Sequence, residues 1–270
     1  MLSYGSDHVL KLMKDDDRGF REILFYEALR SVTDETHTGV LVNDFRIKRN
    51  SRLLRALTPF TPNYYGITSD DSSIENSVLP TSIILSNLTA GYQKPCVLDI
   101  KMGQNTYEPD ATPAKKESQE NKYPEQRIFG FRVVGMNVYD PSHVESNQDG
   151  FRTFDKNFGR QLRSSHDIQN ALSVYFDLQI GNEKKRTNLL IQNLVQQLEM
   201  LRMHLADCND GIAFIASSIL IIYEGDALLC TPENFTVKMI DFAHVRYSSG
   251  GDLSYIYGLD TIITMLKTIL

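Results

Sequence analysis

Asp99 and Lys101 stand two residues apart near the end of the apolar run Pro95 to Gly103, PCVLDIKMG. In a strand, side chains two apart project from the same face, so this acid and this base look the same way. Gly103 then allows a tight exit or a close backbone approach to a ligand. Such a pair at a cleft can place charge beside a nucleotide and an acceptor group, as phosphoryl transfer requires. The spacing alone suits a structural ion pair on a sheet equally well.

Four further groups of residues could do chemistry. Lys238 to His244 (KMIDFAH) ends a strand with Asp241-Phe242, a position from which a carboxylate can hold Mg²⁺ against nucleotide phosphates, or merely cap a turn. Ser217-Ser218 opens an apolar strand, where hydroxyls usually satisfy local backbone groups. Lys11 lies in VLKLM and is followed by Arg18-Gly19-Phe20-Arg21-Glu22. A lysine on such a strand supplies a point charge for phosphates, or is a solvated strand end. Lys115, Gln119 and Lys122 follow i, i+4, i+7 spacing and line one helix face, which in isolation reads as a solvated surface. Lys156 and Arg160, in FDKNFGRQL, add two more cations.

With 270 residues and 41% hydrophobic content, the chain is long enough for one large domain or two lobes. A net charge of −6 argues against general nucleic-acid binding, while local basic clusters leave a polyanionic small molecule open as a partner. Cys96, Cys208 and Cys230 show no metal-ligand spacing, and their odd number suits a reducing compartment. No basic-then-apolar leader opens the chain, and the apolar stretch 212–223 is too short for a membrane span. The expectation is an intracellular protein, cytoplasmic or nuclear, monomeric, with no membrane or nucleic-acid partner.

The elements that must position these residues follow from periodicity and turn signals. A strand ends near Leu10 to Met13, and Gly19 to Ser31 carries a helical apolar pattern. A Pro-punctuated segment covers 53–65, and a Ser/Asp/Asn-rich loop covers 68–77. Strands are predicted over 82–85, 96–101 and 128–139, and a β-pair over 214–223 and 235–242 joined through Glu224-Gly225-Asp226. Helices are predicted over 113–121, 165–180, 183–206 and 259–270.

The pattern P-x-x-x-D-x-K-x-G of residues 95–103 resembles the signature of the inositol polyphosphate kinase family. Other blocks follow in the family's order: Lys11 with R-G-x-R-E at 18–22, Ser217-Ser218-Ile219-Leu220 for Ser-Ser-Leu-Leu, Ile240-Asp241-Phe242 for I-D-F, Gly159-Arg160 for a G-R pair, and YIYGL at 255–259 before the last helix. The resemblance implies an α/β, two-lobed, protein-kinase-like fold with ATP between the lobes and an inositol-phosphate-binding helical segment. It divides the chain into an N-terminal nucleotide-binding lobe (1–85), a hinge (86–91) and a catalytic C-terminal lobe (92–270) that includes the segment 104–124. It implies ATP and Mg²⁺ as cofactors, with Lys11, Ser86, Asn87, Leu88, Asp99 and Asp241 at the nucleotide and Asp241 and Ser218 at the metal. Asp99 and Lys101 become the catalytic pair. Arg18, Lys101, Lys115, Gln119, Lys122, Lys156, Arg160 and His244 become ligands of the inositol polyphosphate. Only ten residues precede Lys11, with Gly5 the one glycine, so the expectation is either a shortened cover over the nucleotide or a sequence that begins inside a longer chain.

Within the family, PCVLD, KMG and the run 130–139 resemble hexakisphosphate kinases, whereas 104–109 and Lys122-Tyr123-Pro124 resemble the multikinases. The leading expectation is an inositol hexakisphosphate kinase that makes a pyrophosphate, with some activity on less phosphorylated inositols. The alternatives are a multikinase acting on ring hydroxyls, or, in another class, a non-catalytic inositol-phosphate-binding scaffold. A protein kinase is disfavoured because no H-R-D-x-x-x-x-N loop is present. If Lys101 neutralises charge in the transition state, Lys101→Ala lowers turnover at least ~100-fold and leaves the urea unfolding midpoint near wild type. Near-normal turnover would remove Lys101 from the reaction.

Overall fold

The computed structural model describes residues 2–14, 16–33, 45–68, 82–143, 149–176 and 184–270. The chain opens with a hairpin, β1 (Leu2–Tyr4) and β2 (His8–Leu12), followed by α1 (Asp17–Thr33), α2 (Phe45–Leu57) and β3 (Tyr64–Thr68). Then come β4 (Ser82–Ser86), β5 (Pro95–Met102), α3 (Pro113–Lys122), α4 (Gln126–Phe129) and β6 (Phe131–Tyr139). After β7 (Phe151–Phe154) stand α5 (Lys156–Gln161), α6 (Ser165–Tyr175) and α7 (Lys184–Cys208). The chain closes with β8 (Ile212–Phe214), β9 (Ser218–Glu224), β10 (Phe235–Ile240), β11 (Val245–Tyr247) and α8 (Leu253–Thr268).

Two antiparallel sheets carry the fold, in the orders β1-β2-β4-β3 and β10-β9-β5-β6-β7, with β11 and β8 as a separate pair. Residues 87–94 connect β4 of the first sheet to β5 of the second. Strand β5 is central because its two faces differ in kind. Cys96, Leu98, Ile100 and Met102 are buried, while Val97, Asp99 and Lys101 are half-buried on the other face. The buried face joins the core with Leu172 and Tyr175 of α6, Leu198 and Leu201 of α7, and Leu259, Ile262 and Leu266 of α8.

Local chemistry fixes the smaller elements around β5. Thr112 caps α3 by accepting from Lys115 N, with Pro113 at its first turn, where a missing N–H costs nothing. Ser164 and Asp167 form a capping box on α6. Asp155 caps α5, which lies directly on β6: a Cβ at Gly159 would fall 1.9 Å from Val133 O. Gly103, at φ +92, ends β5 in the left-handed region, and its N–H bonds Gly130 O at 2.8 Å.

Most predicted elements are present, and four differ. The segment 53–65 contributes the end of a helix, α2, because Leu53, Leu54 and Leu57 are fully buried against the core while Arg52 and Arg55 face out. The run 128–139 starts as the short helix α4, stopped by Gly130 at φ +69, and only then becomes a strand. The last helix begins at Leu253, capped by Asp252, so YIYGL lies inside it. The predicted β-pair is joined by the ten-residue connection 225–234, not by a tight turn. Residues 69–77 of the predicted loop, 177–180 of one predicted helix and Glu183 of the next lie outside the described residues. No described helix is long and apolar enough to cross a membrane. Because α5 has no room for a methyl group at its contact with β6, Gly159→Ala should lower stability by about 1–3 kcal/mol in urea titration. An unchanged midpoint would mean that α5 does not depend on this close approach.

Candidate active site

Between the two sheets lies a pocket of about 140 Å³ lined by Val9, Tyr26, Leu85, Leu88, Leu220 and Ile240, with Lys11 and Asp241 at one end and Ser86 and Asn87 along its side. Apolar walls from both sheets with a few polar groups at the ends suit a planar base carrying a charged tail. The β1–β2 turn bonds to Asn87: its N–H donates to Asp7 O at 2.8 Å and its side-chain amide donates to Ser6 O at 2.9 Å. Ser86 N–H donates to Asn63 O at 2.9 Å. Lys11 thus lies on the second strand of a hairpin that lines the pocket and whose turn is tied to the connection between the sheets.

The charged end is a three-residue knot. Lys11 Nζ donates to Glu22 Oε1 at 2.7 Å and to Asp241 Oδ1 at 2.5 Å. Burial disfavours its charge, yet the carboxylates of Asp241 and Glu22 raise its pKa above the ordinary lysine value. Glu22, almost fully buried on α1, also accepts from Phe242 N at 3.1 Å. Phe242 is fully buried between Phe25 and Tyr26, with ring centroids 4.3 and 5.4 Å away. That anchoring holds Asp241 at φ +65, an uncommon backbone state for a side chain other than glycine's.

Cross-strand register brings the second acid and the serine to the same place. Lys101 pairs with Ser218 and Asp99 with Leu220, while Ser218 pairs on its other side with Ile240, the residue before Asp241. Asp99 Oδ1 and Ser218 Oγ are both buried without a well-formed hydrogen bond. Burial pushes the Asp99 carboxyl up to about 6; the nearby Ser218 hydroxyl offsets part of that, and the Asp241 charge adds to it. Oxygen donors with unused bonding capacity suit a hard divalent cation. Among the described residues no group of three or more His, Cys, Asp or Glu could hold a metal.

Lys101 begins a line of cations away from this pocket. Its Nζ donates to Ala216 O at 3.1 Å, and Ala216 itself sits at φ +54. Burial, and then the neighbouring Arg132 guanidinium, depress the Lys101 pKa. Arg132 is the register partner of Lys101 on β6. It is depressed in turn by burial and by Arg160 of α5, and its Nη1 is buried without a partner. Three clustered cations with an unsatisfied guanidinium nitrogen have the chemistry that suits a polyanion.

The predicted acceptor ligands fall into three groups. Lys101 and Arg160 belong to this line, whereas Lys122, at the end of α3, is exposed. Lys115 and Lys156 are exposed, and Gln119 lines a separate polar cavity of about 240 Å³ with Gln104, Tyr107 and Arg127. Arg18 is bound to Asp16 at 2.5–2.9 Å on the surface; it is Arg21 of the same block that turns inward, donating to Glu108 at 3.2 Å. His244 also meets Glu108, at 2.7 Å. Sequence reasoning missed Glu22, Arg132 and Glu108. Glu22 carried a signal as the last residue of the R-G-x-R-E block, and Arg132 as a charged residue in an otherwise apolar strand run.

A two-sheet cleft with Lys11, Glu22 and Asp241 joined at one end defines a kinase-like α/β protein. The chain belongs to the inositol polyphosphate kinase family: the sequence profile described as "Inositol polyphosphate kinase" matches residues 82–267. It is 30% identical over 227 residues to the inositol polyphosphate multikinase of Homo sapiens, covering 84% of this chain and 47% of that one. It is 30% identical over 210 residues to inositol hexakisphosphate kinase 3 of Mus musculus, covering 69% of this chain and 50% of that one. The chain thus spans about half the length of these relatives. Its fold matches an inositol phosphate multikinase of S. cerevisiae solved with ADP and Mn²⁺, with a TM-score of 0.72 at 21% identity over 97% of this chain and 98% of that one.

An acid whose native pKa lies above its unfolded value destabilises the native state as pH rises between the two values. In metal-free, nucleotide-free protein, wild type should therefore lose stability between about pH 4 and pH 6 through Asp99. Asp99→Asn should match wild type near pH 4 and exceed it by about 1–3 kcal/mol at pH 8. Equal stability of the two at pH 8 would show that the Asp99 carboxylate is not held in a desolvated site.

Proposed function

We propose that the protein is an ATP-dependent inositol polyphosphate kinase, and that the observation carrying this reading is the single face of β5 from which Asp99 and Lys101 project between the apolar pocket and the Arg132–Arg160 cations. Residues 1–85 and 92–270 act as the two lobes about a hinge at 86–91. The adenine lies in the pocket. Because the Ser86 and Asn87 amides already donate within the protein, a base bonded through hinge amides takes its bond from Leu88. Lys11 holds phosphates while Glu22 keeps the lysine in place, and Asp241 with Ser218 would hold Mg²⁺. The metal supplies charge neutralisation and orientation of the phosphates.

Lys101 stands between donor and acceptor. In the transfer, the bond from the γ-phosphorus to the bridging oxygen of ADP breaks and a bond to an acceptor oxygen forms, with Lys101 stabilising the charge on the moving group. Of the acceptors, inositol hexakisphosphate is the first reading, because Lys101, Arg132 and Arg160, with Lys115, Lys122 and Lys156 nearby in sequence, offer charge for many phosphates. Its acceptor atom is a phosphate oxygen, so the product is a pyrophosphate. The multikinase reading is supported by the longer coverage of this chain by relatives of that name, 84% against 69%. A non-catalytic scaffold would need the cations but not the Lys11–Glu22–Asp241 knot.

Product analysis with Mg-ATP and either inositol hexakisphosphate or inositol trisphosphate tests the reading. A pyrophosphate product supports the first acceptor, ring phosphorylation of the trisphosphate alone supports the second, and no transfer to either rejects kinase activity. With the active acceptor, Arg132→Ala should raise the acceptor KM about tenfold or more while the KM for ATP stays within about twofold. A larger effect on ATP would move Arg132 to the nucleotide side.

A further inference from the structure

Glu108 lies in the loop between β5 and α3, only 8% exposed, outside both the nucleotide pocket and the line of cations. Its Oε1 accepts from His244 Nδ1 at 2.7 Å and from Arg21 Nη2 at 3.2 Å, and its Oε2 accepts from Arg246 Nη2. The three donors come from separate places: Arg21 from α1, His244 from the turn after β10, and Arg246 from β11. Arg21 also donates from Nε to Ala243 O at 3.2 Å, one residue before His244. Against the cost of burial, the His244 and Arg246 hydrogen bonds and the Arg21 charge hold the Glu108 carboxyl at about 2. It is therefore an acceptor only at working pH.

An acceptor at Nδ1 requires a proton on that nitrogen, and Nε2 is then the ring position open to a ligand, donating to an anion once the ring carries its second proton as imidazolium. The charges around the ring are nearly balanced without it. Arg21 and Arg246 face Glu108, and Asp110 lies 3.9 Å from Arg246. The imidazole, its side chain 26% exposed, is the member of the cluster left to meet an outside anion.

We propose that Glu108 is a positioning residue for the acceptor side of the site: it fixes His244 with Nδ1 turned inward and Nε2 presented to an acceptor phosphate, and in the same contact clamps the loop leading to α3 onto α1 and β11. The inference deepens the proposed function and rests on it. Through this one carboxylate, α3 and its lysines keep a fixed relation to the segment that carries Asp241.

Two measurements on the full chain test it without needing turnover. Long-range ¹⁵N–¹H correlation of the His244 ring should find the proton on Nδ1 in every pH state; a bare Nδ1 with a protonated Nε2 would overturn the proposal even if no variant folds. In titration calorimetry, Glu108→Gln should weaken inositol hexakisphosphate binding about tenfold, near 1.4 kcal/mol, and leave Mg-ADP affinity within about twofold. Glu108→Asp should recover part of the loss. In a His244→Asn background, Glu108→Gln should add less than about twofold, because the residue acts through the imidazole. Equal losses for both ligands, or a full loss without His244, would make Glu108 a general structural support and sink the idea. Absence of turnover in wild type would count against the kinase reading, while the binding and NMR results still decide the role of Glu108.

Discussion

The alternation of side chains along an extended strand is the constraint on which this molecule depends. In β5 every second residue enters the core and every other one faces the cleft. The same eight residues thus bind the helical layer to the sheet and present Asp99 and Lys101. A one-residue slip of register would bury both charges and expose Ile100 and Met102, which packing against α6, α7 and α8 forbids. Antiparallel pairing with β9 and β6 on either side then determines what surrounds the charges: Ser218 and Leu220 on one flank, Arg132 and Gly135 on the other. The β6 ladder shifts register between Asp99 and Ile100, a bulge beside the reacting face.

Around that strand the charges are sorted by side. Acids gather at the nucleotide end, with Asp99, Asp241 and Glu22 around the single Lys11. Cations gather at the other end, with Lys101, Arg132 and Arg160. An overall charge of −6 conceals this separation, because what a ligand feels is the local field of a half-buried site. Each end is incomplete on its own: the acid-rich end sets three carboxyls against one lysine, and the cationic end lacks an anion. In the proposed function a metal–nucleotide complex and a polyphosphate would supply what the two ends lack.

Where function was legible in the sequence, it was carried by short-range pattern. The period-2 spacing of Asp99 and Lys101, the strand ending at Asp241 and the helix after Arg18 all follow from neighbours in sequence, and all are present. The residues that were missed are those whose meaning comes from distant partners. Arg132 gains its meaning only from its register opposite Lys101. Glu22 gains its meaning from Lys11 and Phe242, and Glu108 from three donors on three elements. Helix α2 was hidden because its buried leucines alternate with a dense run of arginines and lysines, and its boundary lies within a Pro-marked stretch. The choice of Arg21 over Arg18 depends on helix phase, which three residues of spacing do not fix without the packing of α1.

The central claim is that donor and acceptor meet on the Asp99–Lys101 face of β5. A crystal structure with a non-hydrolysable ATP analogue, Mg²⁺ and inositol hexakisphosphate tests it most directly. The account predicts the terminal phosphate within hydrogen-bond reach of Lys101, the metal on Asp241, and an acceptor phosphate on Arg132. An acceptor bound away from Lys101 and Arg132, or a nucleotide whose phosphates avoid Lys11 and Asp241, would contradict it.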